Sequence, residues 1–263
     1  MENPYVPEFV KIKKVTSLTA DMKSFVLDKK MKFEPGQFVE ISVLNMGEAP
    51  FCMSNYSEKE IELTVRDVGN VSNSMHRLKA GDKVGIRGPY GHGYPMKEIS
   101  ENNILLVAGG SGLVPIKSVL EYIQQHRADY LDIRMFLGFR SPQDILFREK
   151  ILEWHKQFDV KLAVDKGDEH WVGEIGNPAS LLMKYAPQNK DSVAVLCGPP
   201  IMIKFTIESL KKLGWNDDQI YVSMERLMHC GIGKCGHCMI GGKYVCKDGP
   251  VFRYDVASWL SDG

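Results

Sequence analysis

Four of the six cysteines in this 263-residue chain, Cys230, Cys235, Cys238 and Cys246, lie close together near its end in "HCGIGKCGHCMIGGKYVCKDGP", spaced C-x4-C-x2-C-x7-C. A stretch this short cannot bury a core of its own, so four thiols at these spacings are read as ligands that staple it around a metal centre. Gly231, Gly233 and Gly236 stand between the ligands, where a residue without Cβ lets the backbone wrap closely and aim N–H groups at sulfur. The opening segment "MENPYVPEFVKIKKV" lacks the basic-then-apolar pattern of a signal peptide, and no apolar run approaches the roughly 18 residues of a membrane span. A cytoplasmic location is therefore expected, and in a reducing compartment clustered cysteines are metal or redox ligands in preference to disulfides.

Spacing leaves two kinds of centre open. The C-x4-C-x2-C head is that of plant-type [2Fe–2S] sites, although the fourth cysteine follows much sooner here. A four-cysteine zinc site competes, but zinc ribbons favour paired C-x2-C knuckles and only one is present. His229 and His237 are excluded from the ligand set because four cysteines complete it.

The rest of the chain changes texture once. From residue 9 to about 97 it reads as short β segments: "KIKKVTSL", "MKSFVLD", "GQFVEISV", "EIELTVRDV" and "DKVGIRGPYG". Ile61, Leu63 and Val65 alternate with Glu62, Thr64 and Arg66, the period of a half-buried strand, and a small antiparallel barrel with one short helix near "NSMHRLKAG" follows. From about Asn102 apolar strands alternate with amphipathic helices, beginning "NILLVAGGSG" then "VPIKSVLEYIQQH", the pattern of a parallel sheet covered on both faces. Three domains are expected, over 1–100, 101–224 and 225–263. Thirty-three basic residues balance thirty-three acidic ones without like-charge blocks, so no nucleic-acid or membrane partner is indicated.

Two strand ends carry glycine turns: "VAGGSGLVP", with Gly109, Gly110, Ser111, Gly112 and Pro115, and "LCGPPIMIKF", with Cys197, Gly198 and Pro199. At the carboxyl end of a parallel strand such turns suit a nucleotide, although the spacing is not G-x-G-x-x-G and a purely structural turn is the competing reading. In the barrel portion "RDVGNVSNSMHRL" places Gly69, Ser72 and Asn73 at a helix start, which suits a pyrophosphate or an ordinary N-cap.

Taken together, "GQFVEISV", "GEAPFCMSNY", "RGPYGHGYP", "VAGGSGLVP", "GPPIMIKFT" and "CGIGKCGHC…YVCKDGPVF" resemble the iron–sulfur branch of the ferredoxin-NADP reductase superfamily over essentially the whole chain. That branch includes electron-transfer subunits of anaerobic sulfite reductase, sulfhydrogenase and dihydroorotate dehydrogenase, and "GPPIMIKFT" and "ERLMHCGIGKCGHC" look most like the first. The resemblance implies an N-terminal FAD barrel, an NAD-binding α/β domain and a [2Fe–2S] module. It aligns Phe51, Cys52, Met53 and Ser54 with an R-x-[YF]-S flavin motif whose arginine is absent here, and so removes a charge-assisted bond to the pyrophosphate. It further implies cofactor contacts at Met53, Ser54, Asn55, Val65, Arg66, Gly69, Val71, Ser72 and Asn73, and nicotinamide-nucleotide contacts at the two glycine turns, with Cys197 near the transferring carbon. Asp165, in "VDKGDEH", favours NADH by repelling a 2′-phosphate, while Arg140 keeps NADPH open.

A nicotinamide gives two electrons at once, an iron–sulfur cluster takes one, and flavin does both, which is the physical reason to join three such units. The implied function is oxidation of NAD(P)H through FAD and the cluster, with electrons passed to another subunit of a hetero-oligomeric enzyme. The terminal chemistry is expected to be sulfite reduction, with hydrogen or sulfur metabolism and dihydroorotate oxidation as alternatives. A zinc-stapled, non-redox nucleotide-binding regulator is the competing class, and a self-contained NADH oxidase is a third reading.

Overall fold

The computed structural model describes residues 3–257. The chain divides into two compact units, one comprising the residues up to Tyr94 with Lys117–Glu121 and Met224–Val251, the other Pro95–Ile116, Tyr122–Ser223 and the residues from Phe252 onward. The cysteine segment thus belongs to the same compact unit as the N-terminal strands.

The first unit contains β1 (Glu8–Ser17), β2 (Met22–Leu27), β3 (Phe38–Val43), β4 (Gly47–Cys52), β5 (Ile61–Arg66), α1 (Asn70–Arg77) and β6 (Lys83–Tyr90). The six strands form an antiparallel sheet in the order β4-β3-β6-β1-β2-β5, and a bridge between Met53 and Leu63 brings its two ends together as a barrel. The expected alternation holds: Ile61, Leu63 and Val65 turn inward with Phe25, Leu27, Val39, Ile41 and Met53 to form the core. Burying side chains of this size contributes roughly 1.5–3 kcal/mol each. β4 is absent from the expected elements because Gly47 and Pro50 read as loop. Its place at the end of the sheet order explains the exception, since a proline costs no ladder bond on the free side of such a strand.

The second unit contains β7 (Asn103–Gly109), α2 (Leu113–Gln125), whose middle turn belongs to the first unit, β8 (Ile133–Phe139), α3 (Arg148–Trp154), β9 (Asp159–Val164), β10 (Glu174–Ile175), α4 (Pro178–Tyr185), β11 (Ser192–Cys197), α5 (Pro200–Lys212) and β12 (Ile220–Ser223). β11 is buried at every residue and β7 at all but its first, as strands covered on both faces must be. The pairing is parallel throughout β10-β9-β8-β7-β11-β12. Because β8 and β9 follow β7 on one side while β11 and β12 lie on the other, the strand order reverses between β7 and β11.

The cysteine segment adds a two-residue hairpin, β13 (Met239–Ile240) with β14 (Lys243–Tyr244), then α6 (Val245–Asp248), β15 (Val251–Arg253) and α7 (Tyr254–Ala257). Gly241 and Gly242, both at positive φ, make the hairpin turn. No helix among the described residues is long and apolar enough to cross a membrane.

Candidate functional site

In the second unit the predicted nucleotide residues gather along one edge of the sheet. The reversal between β7 and β11 puts Gly109–Gly112 and Cys197–Pro199 side by side at the carboxyl ends of adjacent strands, the position where open α/β sheets take ligands. The approach is possible only because Gly112 has no side chain: a Cβ there would lie 2.2 Å from the Cys197 carbonyl oxygen. Gly110, at φ +53°, has open space where its Cβ would be. Ser111 and Pro199 are exposed, Cys197 and Pro115 buried. Arg140 and Asp165, both exposed, follow the tips of β8 and β9, where the Asp165 N–H donates to the Phe139 carbonyl at 2.9 Å and the Lys166 N–H to the Arg140 carbonyl at 3.0 Å.

In the first unit the predicted flavin residues divide. Met53 and Val65 turn into the barrel core. The Ser54 hydroxyl is fully buried and donates to Glu62 Oε1 at 3.0 Å, and Asn55 donates to the Glu60 carbonyl at 2.8 Å, so both side chains serve the fold. Lys117, also buried, ties this corner together through Ser54 O at 3.0 Å, Glu62 at 3.3 Å and Glu121 at 2.8 Å. Phe51 and Cys52 at the end of β4 remain partly accessible. Burial pushes the Cys52 thiol up to about 12, with the Glu225 carboxylate acting in the same direction. Partial burial of its carboxyl raises the pKa of Glu225.

Gly69, Val71, Ser72 and Asn73 form the start of α1. Ser72 Oγ accepts from Gly69 N at 2.9 Å and Val68 N at 3.1 Å, so the capping reading of that hydroxyl holds. The first-turn N–H groups of the helix carry its positive end and fit a phosphate. Arg66 is half exposed beside them in sequence and bonds Asp21 at 2.7 Å.

The four cysteines lie in one short segment: the Cys235 thiol interacts with Cys230, and the Cys246 thiol with both Cys238 and Cys230. Backbone N–H groups reach the sulfurs: Gly233 to Cys246 at 3.2 Å, Lys234 and Cys235 to Cys230 at 3.3 and 3.4 Å, and Cys246 to Cys238 at 3.5 Å. Gly231, Gly233 and Gly236 all sit at positive φ, as the wrapping required. Among the described residues no three side chains are placed to ligate a single ion. Clustered thiols with N–H groups aimed at sulfur fit an iron–sulfur group, whose ligands and hydrogen bonds are of this kind. Cys230, Cys238 and Cys246 are buried while Cys235 is exposed, and the His229 and His237 rings stack edge-on beside it with centroids 4.2 Å apart.

Sequence reasoning missed the polar network behind the first cysteine. Arg87, on β6, has a side chain only 5% exposed; Nη1 donates to the Cys230 carbonyl at 2.9 Å and Nε to Glu48 Oε1 at 2.8 Å. Burial works against both charges, but the pairing holds Arg87 above and Glu48 below their ordinary pKa ranges. Glu40 is fully buried and neither carboxyl oxygen has a hydrogen-bond partner; burial first, then the Glu48 carboxylate and Cys230, push its pKa to about 8 against the pull of Arg87. The signal available was a single charge in "QFVEIS", alternating with the core residues Val39 and Ile41.

Comparison with known proteins agrees with this arrangement. Residues 9–94 match the oxidoreductase FAD-binding domain, 106–208 the oxidoreductase NAD-binding domain, and 225–256 the iron–sulfur cluster binding domain of dihydroorotate dehydrogenase B. The class is thus a flavin- and nicotinamide-dependent oxidoreductase with an iron–sulfur binding domain. The chain is 39% identical to Sulfhydrogenase 1 subunit gamma of Pyrococcus furiosus, covering 98% of this chain and 94% of that one. It is 33% identical to the probable dihydroorotate dehydrogenase B (NAD(+)), electron transfer subunit, of Methanocaldococcus jannaschii, covering 100% and 94%. The chain belongs to this family of iron–sulfur flavoprotein electron-transfer subunits. A solved structure described as an NADH-dependent reduced ferredoxin-NADP oxidoreductase shares the fold, with a TM-score of 0.79 over 97% of this chain and 90% of that one at 24% identity.

Proposed function

We propose that the chain oxidises NADH and delivers single electrons through a [2Fe–2S] cluster held by Cys230, Cys235, Cys238 and Cys246 to a catalytic subunit of a cytoplasmic hetero-oligomeric enzyme. The observation that supports this reading most is the cysteine segment itself, in which main-chain N–H groups are aimed at three of the four sulfurs and whose residues 225–256 match an iron–sulfur cluster binding domain. FAD, once bound, supplies the exchange between two-electron and one-electron chemistry. The chain's own residues position the groups: the α1 N-terminus with Gly69 and Asn73 takes the flavin's phosphates, and Gly110, Ser111 and Pro199 receive the nicotinamide nucleotide. Asp165 prefers a ribose hydroxyl over a 2′-phosphate. The three functional regions are 1–100, 101–224 and 225–263.

The terminal reaction proposed is sulfite reduction, on the resemblance of "GPPIMIKFT" and "ERLMHCGIGKCGHC" to sulfite reductase electron-transfer subunits. The identity with Sulfhydrogenase 1 subunit gamma favours a second reading, a hydrogen- or sulfur-metabolising partner. Purification of the native complex separates them: NADH-dependent consumption of sulfite supports the first, NADH-dependent hydrogen evolution the second, and a chain that purifies alone and reacts with oxygen at full rate refutes both.

A further inference from the structure

Arg87 ends within the cysteine segment although it belongs to a barrel strand. Its shortest contacts run in two directions: Nε and Nη2 fork onto the two oxygens of Glu48, while Nη1 reaches the main-chain carbonyl of Cys230 at 2.9 Å in a buried setting, with longer contacts to the Tyr90 hydroxyl at 3.3 Å and the Pro4 carbonyl at 3.4 Å. Glu48 is itself braced, accepting from Ser42 Oγ at 2.7 Å. The Arg87 guanidinium also lies over the Tyr90 ring, 5.5 Å from its centroid. Tyr90 in turn walls Gly231, where a Cβ would come within 3.0 Å of the tyrosine ring and 3.2 Å of Glu40. The backbone that follows Cys230 is therefore set by the barrel: the carbonyl is held by a fixed cation, and the next residue is confined to the one amino acid that fits.

In a bidentate Arg–carboxylate pair the guanidinium is held rigidly and keeps its charge at every accessible pH. Such a pair is costly to bury, and stability alone does not account for it, because an apolar pair of the same volume serves a core as well or better. What the pair does here that apolar residues could not is place a positive charge within hydrogen-bond distance of a ligand residue. Reduction adds one negative charge to an iron–sulfur centre, and a nearby buried cation stabilises the reduced form more than the oxidised one.

We propose that Arg87, braced by Glu48, is the positioning residue of the iron–sulfur centre: it fixes Cys230 through that residue's carbonyl and biases the centre toward its reduced form. The proposal rests on the reading of these cysteines as iron–sulfur ligands. It involves no proton transfer and no change of charge on Arg87.

The test is a redox titration of the full-length purified protein, followed by the low-temperature EPR signal of the reduced centre, with iron and flavin counted per chain. Arg87→Gln removes the charge and is expected to lower the midpoint potential, so that the ratio of reduced to oxidised centre at fixed ambient potential falls about tenfold, equivalent to ~59 mV for one electron. Glu48→Gln leaves the cation uncompensated and is expected to raise it. Arg87→Lys keeps the charge while losing the fork, and should stay nearer the wild type than Arg87→Gln does. A merely structural role predicts that Arg87→Lys and Arg87→Gln behave alike and that Glu48→Gln does not shift upward; that pattern overturns the proposal. If Arg87→Gln retains no iron, Glu48→Gln decides: an upward shift of its midpoint supports the proposal, and an unchanged or lowered midpoint overturns it. Wild-type protein carrying zinc and no iron would instead refute the iron–sulfur reading on which the proposal depends, a different result from iron at unchanged potential.

Discussion

Glu40 gives the most quantitative prediction. Its carboxyl is fully buried without a hydrogen-bond partner, and its pKa is held at about 8 against an ordinary value of 4.5. Below about pH 4.5 the group is protonated in both folded and unfolded chains and favours neither. Between there and about 8 the unfolded chain has released the proton while the folded chain keeps it, so stability falls as pH rises; above about 8 it levels off. A shift of this size at ~1.4 kcal/mol per unit makes the loss on the order of 3–5 kcal/mol. Glu40→Gln keeps the shape and the polar burial but cannot ionise. Thermal unfolding of the two proteins is expected to coincide near pH 5, to diverge progressively up to about pH 8 and to keep a constant gap above it, the variant melting higher by roughly 2–4 °C per kcal/mol for a chain of this size class. Parallel pH dependence, or a variant less stable at high pH, would refute the reasoning and place Glu40 in an ionised, solvated state.

Lys117→Met leaves Glu62 and Glu121 without their buried cation and is expected to cost about 3–5 kcal/mol, read as a lowered urea midpoint with an unchanged slope. Gly112→Ala drives a Cβ into the Cys197 carbonyl, and the strain of about 3 kcal/mol or more should abolish NADH-driven dye reduction while the visible spectra of flavin and cluster persist. Asp165→Arg is expected to turn the nicotinamide preference from NADH toward NADPH by at least about tenfold in kcat/KM. Cys238→Ser should lose iron but retain flavin, measured as iron and flavin per chain.

The parts legible in the sequence are those whose chemistry is local. Ligand spacing in Cys230–Cys246, glycine turns at the ends of apolar runs and the two-residue alternation of β5 each depend on neighbours within a few positions, and the structure carries all three. β4 was hidden because Gly47 and Pro50 describe a loop until the neighbouring strand is known. Ser54 and Cys52 illustrate a second limit: both are small, polarisable residues two positions apart, and only the arrival of Lys117 and Glu121 from a distant helix decides that Ser54 is closed off. The Arg87, Glu48, Glu40 and Cys230 constellation draws on four separate stretches of chain, so no spacing rule could have assembled it. Glu40 alone left a trace, as a charge where the second face of a strand is also covered.

The central claim, that the chain carries electrons from NADH to a two-iron centre, is tested most directly by EPR of the purified protein before and after NADH, with metals and flavin quantified. The account predicts an EPR-silent protein holding one FAD and two irons per chain, which on NADH addition develops the low-temperature S = ½ signal of a reduced [2Fe–2S] centre. One zinc per chain, no flavin and no signal on reduction would contradict it.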